Sequence, residues 1–452
     1  RIMIIKNLIL ILLSLLFFCS CTQKSTIDTT NNYQETPDSV LPEVTIMPDE
    51  TQTKQVQNQD HSINVSINTS QVTNKMIAIL IGSNIADGIS QLINQFEDDL
   101  HNDGYVVVEK IWHKGDCHQV RNYLIDLYSS ETSELVGAYL IGDIPFAYFN
   151  LYYPASENTL ERGPWEFITM EYYQDLDGEW NKINPQILWN ENAFDSHTGK
   201  TDNEIWISVL PFFKDISTTI EKINLYLEKN HKYRTGIDRP ENGYIEPICN
   251  SWGITTPDLY EEQVDYCINS KYSWYPLTIR GNVGIFPDNT MNNVLEYPDF
   301  RHAWDNEMCS NKYDFATICF HNCQFAWISW LANNAMTVNF VWDNTCSFAD
   351  ISKPSSMFDV NLLYDDGNVV LIAGATTFQG GLGGNINGDF RWNIAHDLVN
   401  GLSFGEAYLN HTNTLYASPY EEQKEYFGAQ FIFLGDPTLK LQEHMSIIKG
   451  VP

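Results

Sequence analysis

The 452-residue chain sets 58 Asp and Glu against only 26 Lys and Arg, a formal charge of −32. That balance leaves no cationic stripe for a phosphate backbone, so nucleic acid is excluded as a partner and basic or neutral partners are favoured. With 43% hydrophobic and 13% aromatic residues, the composition supports a large folded part, of two α/β halves or one large domain.

Residues 1–20 read as a signal peptide: Arg1 and Lys6 flank the start of an apolar run, Leu8 to Phe18, that is too short to span a bilayer comfortably. Phe18-Cys19-Ser20-Cys21 resembles a bacterial lipobox with Cys21 as the acylated residue, although Phe18 stands where Leu is usual. Cys19 is a poor acceptor because Phe18 precedes it directly. Residues 21–74 are rich in Thr, Asn, Gln, Ser, Asp and Pro and show no sustained period, so they read as a disordered tether. About fifty residues of flexible chain reach roughly 40 Å, enough to hold a domain clear of a membrane. The expected location is therefore extracytoplasmic, in a bacterial cell envelope, with the N-terminal lipid in the membrane.

Two α/β halves, 75–235 and 236–452, are expected beyond the tether. Met76 to Gly82 is a continuous apolar run ending in Gly, the pattern of a strand buried on both faces of a parallel sheet. A helix over 89–102, a strand over 105–112, a helix over 118–129 and a strand from Leu135 to Asp143 follow. This alternation predicts an α/β fold, mainly parallel with flanking helices. After a Tyr- and Trp-rich stretch, 146–192, come a strand at 204–210 and a helix near 216–231. Three more strand candidates follow, Tyr313 to Phe320, Met336 to Trp342 and Val369 to Ala373.

Sites in open α/β sheets lie beyond the carboxyl ends of strands, so His321 and Cys346, after the first two of these candidates, are expected to share a crevice. The seven cysteines beyond the signal region, at 117, 249, 267, 309, 319, 323 and 346, are odd in number, so at least one is a free thiol. A thiol becomes a strong nucleophile when a positioned base takes its proton, and His is the natural base near neutral pH. Spacing alone leaves packing and loop capping open as readings of these two residues.

Further motifs add to that reading. Tyr139-Leu140-Ile141-Gly142-Asp143-Ile144-Pro145, Asp175-Leu176-Asp177-Gly178, Glu204-Ile205-Trp206-Ile207, Gly367 to Gly374 and Leu434-Gly435-Asp436-Pro437-Thr438-Leu439 occur in the order seen in gingipain-like cysteine peptidases, relatives of caspases. The resemblance runs from about residue 75 to 442 and implies a caspase/gingipain-like fold acting on protein or peptide substrates with no required cofactor. It implies His321 as base and Cys346 as nucleophile, with the backbone N–H groups of Asn322 and Cys346 holding the oxyanion. Two positions depart from the family pattern: Asn322 stands where Gly follows the His, and Ser208-Val209 where Gly-Arg follows the Glu-Ile-Trp strand. Asn adopts positive φ more readily than most residues. A catalytically inactive, peptide- or glycan-binding surface lipoprotein on the same fold is the alternative.

Asp175, Asp177 and Glu179 place oxygen ligands at alternate positions around Gly178, the start of a calcium-loop pattern that lacks its distal Glu; a turn capping its own backbone is the competing reading. Cys319, His321 and Cys323 at period two invite zinc but show no fourth ligand, and His113, Cys117 and His118 look metal-like in what reads as a surface turn. Gly380 to Gly384 lacks the Lys-Ser/Thr of a phosphate cradle. Trp165, Tyr172, Tyr173 and Trp180 are either core and rim or a stacking surface for sugars or peptides.

Overall fold

A computed structural model describes residues 74–130, 133–151, 165–237, 242–248, 279–282, 313–318, 335–343, 363–375, 400–416 and 431–441, with short pieces at 309–310, 349, 351–352, 360, 394 and 397–398. All belong to one compact unit, Thr69–Pro452. The unit Arg1–Asn68, with Cys21, lies outside the described residues, as do Cys319, His321, Asn322, Cys323, Cys346 and Gly380 to Gly384. Among the described residues no helix is long and apolar enough to cross a membrane.

The apolar run at residue 76 becomes strand β1 (Lys75–Gly82), buried at every position after Lys75. It is covered along both edges, because β2 (Val106–Trp112) and β3 (Glu134–Gly142) each pair with it in parallel. Helix α1 (Ala86–Asn102) joins β1 to β2 and buries Ile89, Ile93, Phe96 and Leu100, one stripe at helical spacing. Helix α2 (Cys117–Tyr128) starts at a capping box in which Asp116 accepts the Gln119 N–H at 3.0 Å and Gln119 accepts that of Asp116 at 3.1 Å. The His113-Cys117-His118 segment is thus the lead-in and first turn of a helix, with Cys117 in the core and His118 on the Tyr172 hydroxyl at 2.8 Å.

The aromatic middle folds into small sheets. Strands β4 (Ala147–Leu151), β5 (Trp165–Thr169) and β7 (Ala193–Phe194) form one, in the order β5-β4-β7. Strands β6 (Glu179–Asn181) and β8 (Ser196–Thr198) form another, and the one-turn helix α3 (Glu171–Gln174) lies between β5 and β6. The wholly buried β9 (Trp206–Pro211) then returns the chain to the main sheet, and α4 (Ile216–Arg234) follows, with Asp215 capping Thr218 at 2.9 Å.

Strands β10 (Asn242–Ile248), β11 (Ile279–Asn282), β12 (Tyr313–Ile318), β13 (Val338–Asp343) and β14 (Leu371–Ala375), helix α5 (Phe404–Tyr416) and strand β15 (Phe431–Gly435) complete the described elements. Ten strands make one sheet in the order β11-β10-β12-β13-β14-β15-β9-β3-β1-β2. Residues 75–235 supply one end of it and residues 236–452 the other, with β15 carried across to meet β9.

Direction matters more than order here. Strands β10 to β14 are parallel to one another, and β15, β9, β3, β1 and β2 are parallel to one another, but β14 and β15 pair antiparallel, Leu371 opposite Gly435 and Ala375 opposite Phe431. The sheet is therefore two parallel blocks of opposite sense. Carboxyl ends of β12, β13 and β14 lie on the same sheet edge as the amino ends of β15 and β9.

The Leu434-to-Leu439 motif secures that seam. Gly435 ends β15 at φ 106°, where a Cβ would come within 2.3 Å of the Val370 carbonyl oxygen. The next residue, Asp436, is fully buried and accepts from Tyr139 of β3, from Asn230 Nδ2 at 2.7 Å and Arg234 Nη2 at 2.5 Å on α4, and from the Thr438 hydroxyl at 2.6 Å. One carboxylate so joins β3, α4 and the end of β15, and each of its buried lone pairs has a donor.

Candidate functional site

Strands β12 and β13 are adjacent and parallel, in a register that pairs Tyr313 with Val338 and Ile318 with Asp343. Tyr313, Phe315, Val338, Phe340 and Val341 are buried, as expected of strands inside a sheet whose neighbours are paired on both sides. Asp314, also buried, is held within this block by the Tyr233 hydroxyl at 3.1 Å. The strands stop at Ile318 and Asp343, three residues before His321 and Cys346, which lie outside the described residues.

On the same sheet edge, ahead of the amino end of β9, lies the Asp175-Leu176-Asp177-Gly178 turn. Asp175 is buried and accepts the backbone N–H groups of Asp177 at 3.1 Å and Gly178 at 2.6 Å, so the turn does cap its own backbone. Its other oxygen meets His197 Nε2, whose ring stacks on Trp180 at 3.9 Å between centroids. A Cβ on Gly178 would sit 2.0 Å from Asp175 Oδ2. The Arg121 guanidinium donates to the Asp175 carbonyl at 2.9 and 3.2 Å and to the Gly178 carbonyl at 3.0 Å.

Three carboxylates converge on this turn, each offering an oxygen within 4.8 Å of the others: Asp175, Asp177 and Glu204. Glu179, read from the sequence as the third oxygen ligand, is not of this group. It opens β6, where pairing opposite Thr198 straightens the chain and leaves its side chain exposed. Glu204 takes its place, accepting the Leu176 N–H at 2.6 Å from 28 positions away. Burial, reinforced by Asp175 and Asp177, pushes the Glu204 carboxyl up to about 7 against the lowering effect of that hydrogen bond. The signal for Glu204 was present in the Glu-Ile-Trp motif, but nothing local ties that motif to the turn. Lys200 answers Asp177 at 2.6 Å.

Other expectations resolve more simply. Tyr172 and Tyr173 are core residues; Tyr172 stacks on Phe194 at 4.6 Å, and Trp180 presents its face to His197. The aromatic faces once open to a stacking role are filled by the protein itself, and the side chain of Trp165 lies outside the described residues. Ser208 and Val209, which stand where the family pattern has Gly-Arg, are buried in mid-strand, with Ser208 Oγ donating to the Gly435 carbonyl at 2.5 Å across the β9–β15 pair. Interior pairing, not a loop, sets the residue type there.

Comparison with known proteins matches residues 316–442 to Peptidase family C25. Among solved structures, that of the Arg specific cysteine proteinase gingipain R superposes with a TM-score of 0.55 over 82% of this chain and 78% of that one, at 15% identity. A putative LacI transcriptional regulator from Bacteroides fragilis aligns over 67% of this chain and 85% of that one, at 8% identity and a TM-score of 0.19. No curated protein matches the chain. The chain is therefore gingipain-like: an α/β protein with the gingipain fold whose residues 316–442 match Peptidase family C25.

Proposed function

We propose that the protein is an extracytoplasmic cysteine endopeptidase in which Cys346 is the nucleophile and His321 the base. The observation that carries this reading is the register of β12 and β13. Ile318 and Asp343 are partners 25 positions apart, and His321 and Cys346 have the same separation, each three residues beyond its strand. Ile318 and Asp343 are neighbouring points of one sheet edge, and three residues of chain reach at most about 10 Å from each. The match of residues 316–442 to a peptidase family spans both positions.

In the proposed reaction the Cys346 thiolate adds to the scissile carbonyl carbon, and His321 takes the thiol proton and returns it to the leaving amine. Backbone N–H groups of Asn322 and Cys346 hold the oxyanion, and water then hydrolyses the thioester. Thiol, imidazole and water complete this cycle without a cofactor. The substrate is a protein or peptide, and the chain's excess of carboxylates favours basic ones. The solved neighbour is described as Arg specific, which makes Arg the first side chain to test before the cleaved bond.

Two further proposals accompany the enzyme. Cys21 carries the lipid that anchors the chain in a bacterial cell envelope, a reading supported by the charged-then-apolar start and the small residue before Cys21. Asp175, Asp177 and Glu204 hold a structural calcium ion, a reading supported by their convergence and by a negative charge that Lys200 offsets only in part.

The test of the peptidase uses acyloxymethyl ketones directed to Arg, Lys, Asn and Asp, read by intact-protein mass. One adduct on Cys346 that His321→Ala prevents is the expected result. Absence of any adduct on a folded protein would favour the alternative, a binding-only descendant of the same fold.

A further inference from the structure

Among the described side chains of the aromatic stretch, the core leaves the indole of Trp189 unused. Trp189 is 73% exposed, and Ile183 on the same loop is 66% exposed, whereas Tyr172 and Tyr173 are buried. The loop joins β6 to β7 and is pinned along its length. Asp195 accepts the N–H groups of Ile183 at 2.6 Å and Asn184 at 2.7 Å, and Glu166 accepts that of Trp189 at 2.7 Å. A 3-10 turn at Pro185–Ile187 and the bond from the Asn192 N–H to Asn190 Oδ1, 2.9 Å, hold the remainder. An ordered backbone that displays a large apolar ring to water gains nothing for folding, but it removes much of the ordering cost of binding.

The chemistry of the loop selects the partner. Residues 182–192 contain one Lys and one Glu, so the loop is neutral in a chain of net charge −32. Lys182 is engaged by the Glu191 carbonyl and lies 5.5 Å from the centre of the Phe194 ring, and Asp195 and Glu166 are engaged by backbone N–H groups. The exposed polar side chains of the loop are the amides Asn184 and Gln186 and the oppositely charged pair Lys182 and Glu191. An anionic partner would meet the field of the whole chain, and the two carboxylates that flank the loop, Asp195 and Glu166, are engaged by its backbone N–H groups. A hexose offers a C–H face to an indole and hydroxyls to planar amides, which both donate and accept.

We infer that loop 182–192 is a binding site for a neutral polysaccharide, with Trp189 as the stacking platform and Asn184 and Gln186 as hydroxyl partners. The site is independent of Cys346 and stands whether or not the protein cleaves peptides.

The experiment is affinity electrophoresis of the full chain through gels containing soluble xylan, galactomannan, laminarin or dextran, with polygalacturonate as the anionic comparison. Retardation by at least one neutral polymer is expected. Trp189→Ala should weaken it on the order of tenfold with an unchanged melting temperature, and Trp189→Phe should restore part of it. Cys346→Ala should bind as wild type, and the bound sugar should shield Trp189 from acrylamide quenching. Retardation by none of the neutral polymers, retardation by polygalacturonate alone, or equal retardation of Trp189→Ala would each overturn the assignment.

Discussion

Arg234 and Asp436, 202 positions apart, meet at 2.5 Å in the interior, where the Asp436 side chain has no exposed surface. Burial works to raise the Asp436 pKa, but Arg234 and the hydrogen bonds from Thr438, Tyr139 and Asn230 outweigh it and hold the carboxyl below its ordinary value. Arg234→Met would leave a carboxylate buried without its cation, and a loss of about 3–5 kcal/mol is expected in urea unfolding. The sign with pH follows from the lowered pKa: the contribution is complete above the ordinary carboxylate value and is lost as pH falls through the folded one. An unchanged urea midpoint for Arg234→Met would show that the pair adds nothing.

Trp206, 1% exposed, lies against two glycines: a Cβ on Gly137 would be 2.0 Å from its ring and one on Gly405 would be 2.5 Å from it. Gly137→Ala is expected to cost about 1–3 kcal/mol by overpacking, with Gly405→Ala the milder change. The double variant Gly137→Ala, Trp206→Phe should regain part of the loss, because the smaller ring vacates the contested space. Additive losses in thermal melts would mean that the ring and the glycine are not the coupled pair.

Asp365 precedes β14 beside Lys229, whose amine donates to the Leu363 carbonyl at 2.8 Å and to that of Asp365 at 3.1 Å. Burial pushes the Asp365 carboxyl up to about 6, against the pull of Lys229. Its folded pKa is raised, so its contribution is present at low pH and is lost as pH rises through about 6. Asp365→Asn does not ionise and should gain on wild type by up to about 3 kcal/mol between pH 4 and pH 7. A constant difference across that window would contradict the linkage.

If calcium occupies the acidic turn, EDTA should lower the melting temperature and calcium alone should restore it. Glu204→Gln should abolish the restoration and Glu179→Gln should leave it intact, because Glu204 and not Glu179 is grouped with Asp175 and Asp177. A melting temperature that neither EDTA nor calcium moves would remove the ion and leave the turn to Arg121, His197 and Lys200.

Much of the fold was legible because its signals are local. The apolar run at Met76, the stripe from Ile89 to Phe96 and the runs at Tyr313 and Met336 each carry their period or their length within a few residues, and each became the expected element. By contrast, β10, β11, β15 and helix α5 were not read from the sequence, and the strands among them are defined by their partners in the sheet.

The sequence by itself determined the alternation of strands and helices, the gingipain-like motif order and the turn at Asp175, whose cap acts over three residues. Tertiary structure alone decided three other things: the reversal of strand direction between β14 and β15, the burial of Ser208, and the substitution of Glu204 for Glu179 beside Asp177. Hydrogen-bond pairing and burial act between residues brought together from distant parts of the chain, and neither residue of such a pair bears a mark of its partner.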